Sequence, residues 1–316
     1  MFWLLRRLGV SLALMWVVAS IVFLALHLVP GDPAEILLST GGTAPDAFAV
    51  AELRTRLGLD LPLHQQYTAF LAGLARGDLG LSLVDEYPVI DEILLRLPRT
   101  LELIFAGTVI ALLVGLPTGT LAAVRQGGGF DRGSAAAAAI LQSVPVFVLG
   151  TVFILVFAQW LRWMPAGGYM PFAENPARHM LLLLLPALAV GKGLAAVVFR
   201  MTRASVLDAL SRDHVRTARA KGLSPRQVLW RHVVRNALSP VATVLGLHMG
   251  ALLGGTVLVE YVFNWPGLST PLLRAVEARD YPMVVGIVLT VSGLFLLINL
   301  AMDLVYAALD PRVARA

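Results

Sequence analysis

The chain contains no cysteine, which excludes both a disulfide framework and a thiolate metal site. Charge is scarce too: 14% of its 316 residues are Asp, Glu, Lys or Arg, while 58% are hydrophobic. A soluble domain carries roughly 25% charged residues, so too little polar surface is present to cover a globule in water. Lipid is the natural solvent for such a chain. Lysine is nearly missing, with only Lys192 and Lys221 among many arginines; together with the abundant Ala, Leu and Gly this suggests a GC-rich bacterial genome. Chemistry-bearing patterns are lacking as well. Gly191-Lys192 has neither the upstream glycine nor the following Ser/Thr of a P-loop. No zinc pattern of the HExxH kind occurs, and no Gly-x-Ser completes a nucleophile elbow. Catalytic residues, metal ligands and cofactors are therefore not expected, and the chain is not expected to be an enzyme.

Long apolar runs dominate what is present. A spanning helix needs roughly 20 apolar residues, and Val10–Val29 meets that without a charge. No small-residue cleavage site follows it, so it reads as a retained first span rather than a signal peptide. Five more spans are expected near Leu101–Val124, Gly133–Leu161, Met180–Phe199, Leu238–Phe263 and Met283–Leu309. Arginines in the short loops set the orientation. Arg6, Arg7, Arg125, Arg132, the 200–236 loop, Arg312 and Arg315 share one side, opposite Arg162, Arg178, Arg274 and Arg279. Six spans with both termini in the cytosol is the solution, and Trp160 and Trp163 then fall at the outer interface. The division is residues 1–98 (first span and extracytoplasmic segment), 99–309 (membrane domain with the 200–236 loop) and a cytoplasmic tail, 310–316. In the outer segment Asp46–Leu59 and Leu63–Ala75 show helical spacing, separated by Gly58 and Pro62. That segment is either a cap over the external mouth or a mere spacer, and the cap is the reading favoured.

Few charges lie within the spans. Glu102, Glu260 and Asp303 sit near span ends, where headgroup contact accounts for them; Lys192 is deeper, and either snorkels or lines a path. An ion-coupled carrier would need a richer set of buried acids, so energy is expected to come from outside the chain. Gly246, Gly250 and Gly254 recur every fourth residue of the fifth span, a spacing that permits close backbone approach. The face they make is either ordinary packing or a seam against a second subunit, with Met249 and Gly255 beside a pathway.

The 200–236 loop carries nine basic residues against Asp208 and Asp213 alone, whereas residues 31–98 carry ten acids against four arginines. Asp208–Lys221 reads as a helical continuation of the fourth span, and Gly222 suits the left-handed position that ends a helix. Ser224-Pro225-Arg226-Gln227 then restarts one, with Ser224 as N-cap, Pro225 at the first position and Gln227 closing a capping box. This second helix runs into the fifth span, where Pro240 is placed to bend it. Arginines alone would suit a solvated anchor, or an attraction for nucleic acid or anionic lipid. The helix–glycine–capped-helix construction, with small Ala218 and Ala220, favours docking into a cleft on a protein instead.

The same loop carries a family resemblance. Arg216-Thr-Ala-Arg-Ala-Lys-Gly222 followed by Asn236-Ala-Leu-Ser-Pro240 resembles the cytoplasmic signature loop of binding-protein-dependent ABC importer permeases. Val29-Pro-Gly-Asp-Pro33, Gly77-Asp-Leu-Gly-Leu-Ser82, Glu260-Tyr-Val-Phe-Asn-Trp-Pro-Gly-Leu268, Arg279-Asp-Tyr-Pro282 and Leu309-Asp-Pro-Arg312 match the dipeptide/oligopeptide/nickel group, in the expected order. The wider signature has an acid and an alanine where Arg216 and Thr217 stand, and its later proline lies nearer the glycine than Pro240. An acid-specific contact is therefore not carried over to Arg216. The resemblance implies an all-α bacterial inner-membrane permease of the type I ABC importer fold. It implies a second homologous permease, two ATPase subunits, an extracytoplasmic solute-binding protein and membrane lipid as partners, and no nucleic acid. Di- or oligopeptides are the implied cargo, with nickel, glutathione or oligosaccharides as alternatives and an ion-coupled carrier as the other class. On this reading Asp213, Val215, Arg216, Ala218, Arg219, Ala220, Lys221 and Gly222 couple to the ATPase, while Asp78, Asn264 and Trp265 dock the binding protein.

Overall fold

Hydrocarbon offers backbone N–H and C=O groups no partners, so an open chain crossing a bilayer satisfies them within helices. The computed structural model describes residues 2–28, 33–38, 46–56 and 58–309, and every regular element among them is helical. The Val29–Pro33 motif lies largely outside these residues and the 310–316 tail wholly so. In chain order the helices are α1 (Phe2–Leu28), α2 (Pro33–Leu38), α3 (Ala47–Arg56), α4 (Leu63–Ala75), α5 (Val89–Val124), α6 (Gly129–Ser143) and α7 (Val146–Phe153, continued by the wider π-helical Ile154–Trp160). Then come α8 (Pro176–Ser211), α9 (Asp213–Ala220), α10 (Pro225–Gln227, continued by π-helical Val228–Val234), α11 (Arg235–Val262), α12 (Ser269–Glu277) and α13 (Tyr281–Leu309). Among the described residues four helices are long and apolar enough to cross a membrane, and six spans result if each of two bent pairs counts as one.

The chain divides into two compact units, Met1–Pro98 with Leu268–Leu296, and Arg99–Gly267 with Leu297–Ala316. In the first unit α3 and α4 form where the spacing predicts them, and Gly58 between them takes φ +68°. Beside Asp60, the Arg54 guanidinium and the Thr55 hydroxyl hold its carboxyl below the usual carboxylate range. α4 is tied to α1 by Ser20 Oγ to Tyr67 Oη at 2.6 Å and His27 Nε2 to Gln66 Oε1 at 3.1 Å. Two motifs met separately in the sequence close on one another. Asp280 accepts from the Ser82 hydroxyl, from Leu83 N at 3.1 Å and from Met283 N at 3.3 Å. Gly77–Ser82 and Arg279–Pro282 are thus the two halves of one buried clasp.

In the second unit the third span is not straight. α6 and the Val146–Trp160 segment meet at 106°, because Pro145 drives Val144 out of the helical region, to φ −74° and ψ 128°. The break frees carbonyls at the end of α6, and Lys192 takes them. Its Nζ donates to Leu141 O at 2.7 Å and to Val144 O, and the residue is buried. Lys192 therefore neither snorkels nor lines an open path: it is a cation on a helix C-terminus, where the dipole favours one. Glu260 departs from the expectation of headgroup contact, and Glu102 has a partner within the protein. Glu260 is 1% exposed and accepts from Thr100 Oγ1 at 2.6 Å, and Glu102 Oε1 lies 2.6 Å from His179 Nε2. α11 runs unbroken through Pro240; the 57° bend of the fifth span comes after Gly250 instead.

α5 and α8 pack almost backbone to backbone. A Cβ built on Gly107 would lie 3.0 Å from Val190 Cγ1, one on Gly115 2.7 Å from Val198 Cγ1, and one on Gly119 2.6 Å from Phe199 O. Gly119→Leu should therefore force the helices apart at a cost of about 1–3 kcal/mol, read as a lower midpoint of thermal unfolding in detergent. Gly129→Ala, whose Cβ meets nothing within 4 Å, should leave the midpoint unchanged. In the other unit Asp280→Ala should cost about 3 kcal/mol through lost charge-assisted hydrogen bonds and should open residues 83–87 to limited proteolysis.

Candidate functional site

The basic loop is built by local rules at both ends of α9. α8 carries on to Ser211, and Arg212 then turns extended, at φ −78° and ψ 151°. This differs from the continuous helix expected over Asp208–Lys221, and helix geometry gives the reason. At roughly 100° per residue, positions nine apart face opposite ways, so an unbroken helix would aim Val215 away from Val206 and Ala218 away from Ala209. The break at Arg212 folds them back, and all four are buried in one core with Val228, Val233 and Ala237. Asp213 stands in the first turn of α9 and Arg219 in the last, each complementing the dipole.

The C-terminus of α9 closes as a Schellman motif. Gly222 N donates to Arg219 O at 3.0 Å and Leu223 N to Ala218 O at 3.4 Å, with Gly222 at φ +78°. Leu223 packs onto the same core, the apolar contact that accompanies this cap. The capping box forms as read: Gln227 N donates to Ser224 Oγ at 3.4 Å and Ser224 N to Gln227 Oε1 at 3.2 Å. A π-helical winding, Val228–Val234, then intervenes before α11 resumes the α form. Asn236 joins the pieces, with Nδ2 donating to His232 O at 2.7 Å and lying 3.4 Å from His214 Nε2. Arg203, on the extension of α8, clamps Asp131 in two-pronged fashion at 2.5 and 2.8 Å.

The expected coupling residues thus divide by face. Val215 and Ala218 are buried and hold α9 to its own chain, so they offer no surface to a partner. Asp213, Arg216, Arg219, Ala220, Lys221 and Gly222 are exposed along the outer ridge. Of the fifth-span residues, Gly246 and Gly250 are buried, Met249 and Gly255 half-buried, and Gly254 exposed. A Cβ on Gly254 or Gly255 would meet nothing within 4 Å among the described residues. Close backbone approach is seen along α5, at Gly107, Gly115 and Gly119, which recur at helical spacing.

The expected docking residues divide as well. Asp78 is exposed and its Oδ1 accepts from Gly80 N at 2.9 Å, shaping its own turn. Asn264 is exposed at φ +50°, a conformation Asn tolerates. Trp265 is 0% exposed, its Nε1 donating to Arg99 O at 2.9 Å and its ring set edge-on to Tyr169. It lends no docking surface; its indole fills a core that Asn264 merely borders.

Two family models cover nearly the whole chain. Residues 1–104 match the N-terminal region of binding-protein-dependent transport system membrane components, and residues 115–315 match the binding-protein-dependent transport system inner membrane component. The glutathione transport system permease protein GsiC of Escherichia coli is 42% identical over 311 residues, 98% of each chain. A probable peptide ABC transporter permease protein of Sinorhizobium fredii is 40% identical, again over 98% of each. Among solved structures, an inward-facing form of the MetNI methionine ABC transporter superposes with a TM-score of 0.56 at 19% identity, covering 70% of this chain and 97% of that one. It shares the fold of a type I ABC importer permease. By family and by these relatives the chain is a transport subunit, and it belongs to the binding-protein-dependent transport system inner membrane components.

Proposed function

We propose that this permease carries short peptides, delivered by a solute-binding protein, and that α9 with Gly222 is its coupling helix. The observation that carries the coupling role is the division of α9: one face sealed into the chain's own core, the C-terminus closed by the Schellman cap at Gly222, and the other face exposed. A helix so held moves as a unit with α8 and α11. On this reading two ATPase subunits grip the ridge of Asp213, Arg216, Arg219 and Lys221, on this chain and on a second homologous permease. ATP-driven closure then displaces the ridge and switches the spans. On this reading the basic loop and both termini lie in the cytosol, the side that arginines in short loops favour. The acidic 31–98 segment and the turn at Asn264 lie outside and receive the binding protein. Short peptides are favoured as cargo because relatives at 40–42% identity, matched end to end, are named for peptide and for glutathione, itself a small peptide.

Two experiments test this. Gly222→Leu places a branched side chain at φ +78° and should abolish uptake of a labelled dipeptide while membrane insertion survives. Gly222→Asn, which tolerates that conformation, should keep most of it; full uptake by the leucine variant would refute the coupling role. Because the chain has no cysteine, single reporters are clean. Ala220→Cys should react with an impermeant maleimide only after the membrane is opened, and Glu52→Cys in intact spheroplasts. The reverse pattern would invert the topology.

A further inference from the structure

Between the core of the basic loop and the core of the spans lies a cavity of about 340 Å³, within the size range of small-ligand sites. α5 supplies Leu116 and Thr120 to its wall, α8 supplies Thr202 and Val206, and the π-helical winding supplies Trp230 and Val234. Val206 belongs to the loop core, whereas Leu116 packs on the span core, so the space marks the joint between the two. A π-helical turn is wider than an α turn and recurs at functional sites. The lining is almost entirely hydrocarbon, which suits neither an ion nor a polar metabolite. Thr202 is buried in that wall, its methyl group adding to the apolar lining.

The mouth has a different chemistry. Trp230 is 57% exposed, and an indole with one wet edge is favoured where hydrocarbon meets water. Arg231 and Arg235 each come directly after a lining residue, and both are exposed. Neither forms an ion pair with a carboxylate among the described residues. Hydrocarbon within, an indole at the rim and two unneutralised guanidiniums one residue along the chain from lining positions fit one kind of molecule. We propose that the cavity binds an acyl chain of an anionic phospholipid whose phosphate is held by Arg231 and Arg235. Guanidinium matches phosphate in geometry and charge, while the cation of a zwitterionic headgroup would be repelled by the same pair. A free phosphate would leave the hydrocarbon space unused. These two arginines lie outside the ridge of α9, so the site stands apart from the coupling role.

The test uses the purified transporter with its partner subunits, equilibrated with equimolar phosphatidylglycerol and phosphatidylcholine and then weighed by native mass spectrometry. Phosphatidylglycerol should be retained in preference, and Arg231→Gln with Arg235→Gln should reduce its retention roughly tenfold without changing that of phosphatidylcholine. Equal retention of the two lipids, or no effect of the substitutions, would overturn the proposal. A second readout needs no mutation. Each lipid, carrying a photoactivatable acyl chain, is crosslinked to the wild-type transporter and the labelled residues are mapped. Thr202 and Val206 are 3% and 0% exposed, so labelling there reports occupancy of the cavity and not contact with bulk bilayer. Labelling by the phosphatidylglycerol probe alone is expected. Labelling by both lipids equally, or by neither because a protein partner fills the space, would each refute it.

Discussion

Every buried carbonyl in a membrane protein must find its donor inside the protein, since lipid supplies none. In this chain that requirement bears hardest on the broken third span, where Pro145 ends α6 and leaves carbonyls open. Lys192 reaches them from α8, and by doing so fixes the bent segment to the helix that also carries the basic loop. A lysine in a span commonly marks a pathway. Here its Nζ is occupied with backbone, and its burial is compensated by the dipole of the helix it ends. The same requirement explains Glu260, whose carboxylate takes the Thr100 hydroxyl and stands against Gly267, where a side chain would collide with it.

Lipid also removes the hydrophobic drive for helices to associate, so close packing must hold them together. The glycines of α5 answer this by bringing its backbone against α8. That contact stiffens α8, and the Arg203–Asp131 pair anchors its extension where the basic loop begins. From there the chain is locked step by step: the turn at Arg212, the buried face of α9, the Schellman cap at Gly222 and the box at Ser224. The π-helical winding beyond the box is the departure from close packing, and the cavity lies beside it. On the proposed coupling role, stiff elements on either side of this joint suit a loop that transmits displacement. The joint is also where an outside molecule could alter that displacement.

Much of the loop was legible because its rules are local. Gly222, Ser224, Pro225 and Gln227 each have a conformational preference strong enough to act alone, and each took the expected place. The break at Arg212 was not legible by that route, because it depends on where Val206 and Ala209 find their core and not on any helix-stopping residue. The start of α8 carries a local signal of the same kind: Asn175 caps it through Arg178 N, with Pro176 at the first position. Pairs such as Arg203 with Asp131 or Ser82 with Asp280 lie far apart in sequence. No periodicity or spacing announces them. The glycine spacing of the fifth span is legible, yet its residues split between buried and exposed, whereas the glycines of α5 bring its backbone against α8.

The Glu260–Leu268 motif shows what kind of information a sequence resemblance transmits. Glu260, Phe263, Trp265 and Leu268 are all buried, and Asn264 and Tyr261 are the residues that clearly face outward. Its recognisable letters therefore encode a clasp: a carboxylate against a glycine, an indole on a backbone carbonyl, and a left-handed Asn at the corner. The basic loop divides in the same way, with Val215, Ala218 and Gly222 shaping it and the arginines around them meeting the outside. Buried letters of this sort specify an architecture, and through it the class of machine. Cargo is a matter of exposed surfaces, so the argument for short peptides rests on relatives alike across 98% of the chain and not on the motif.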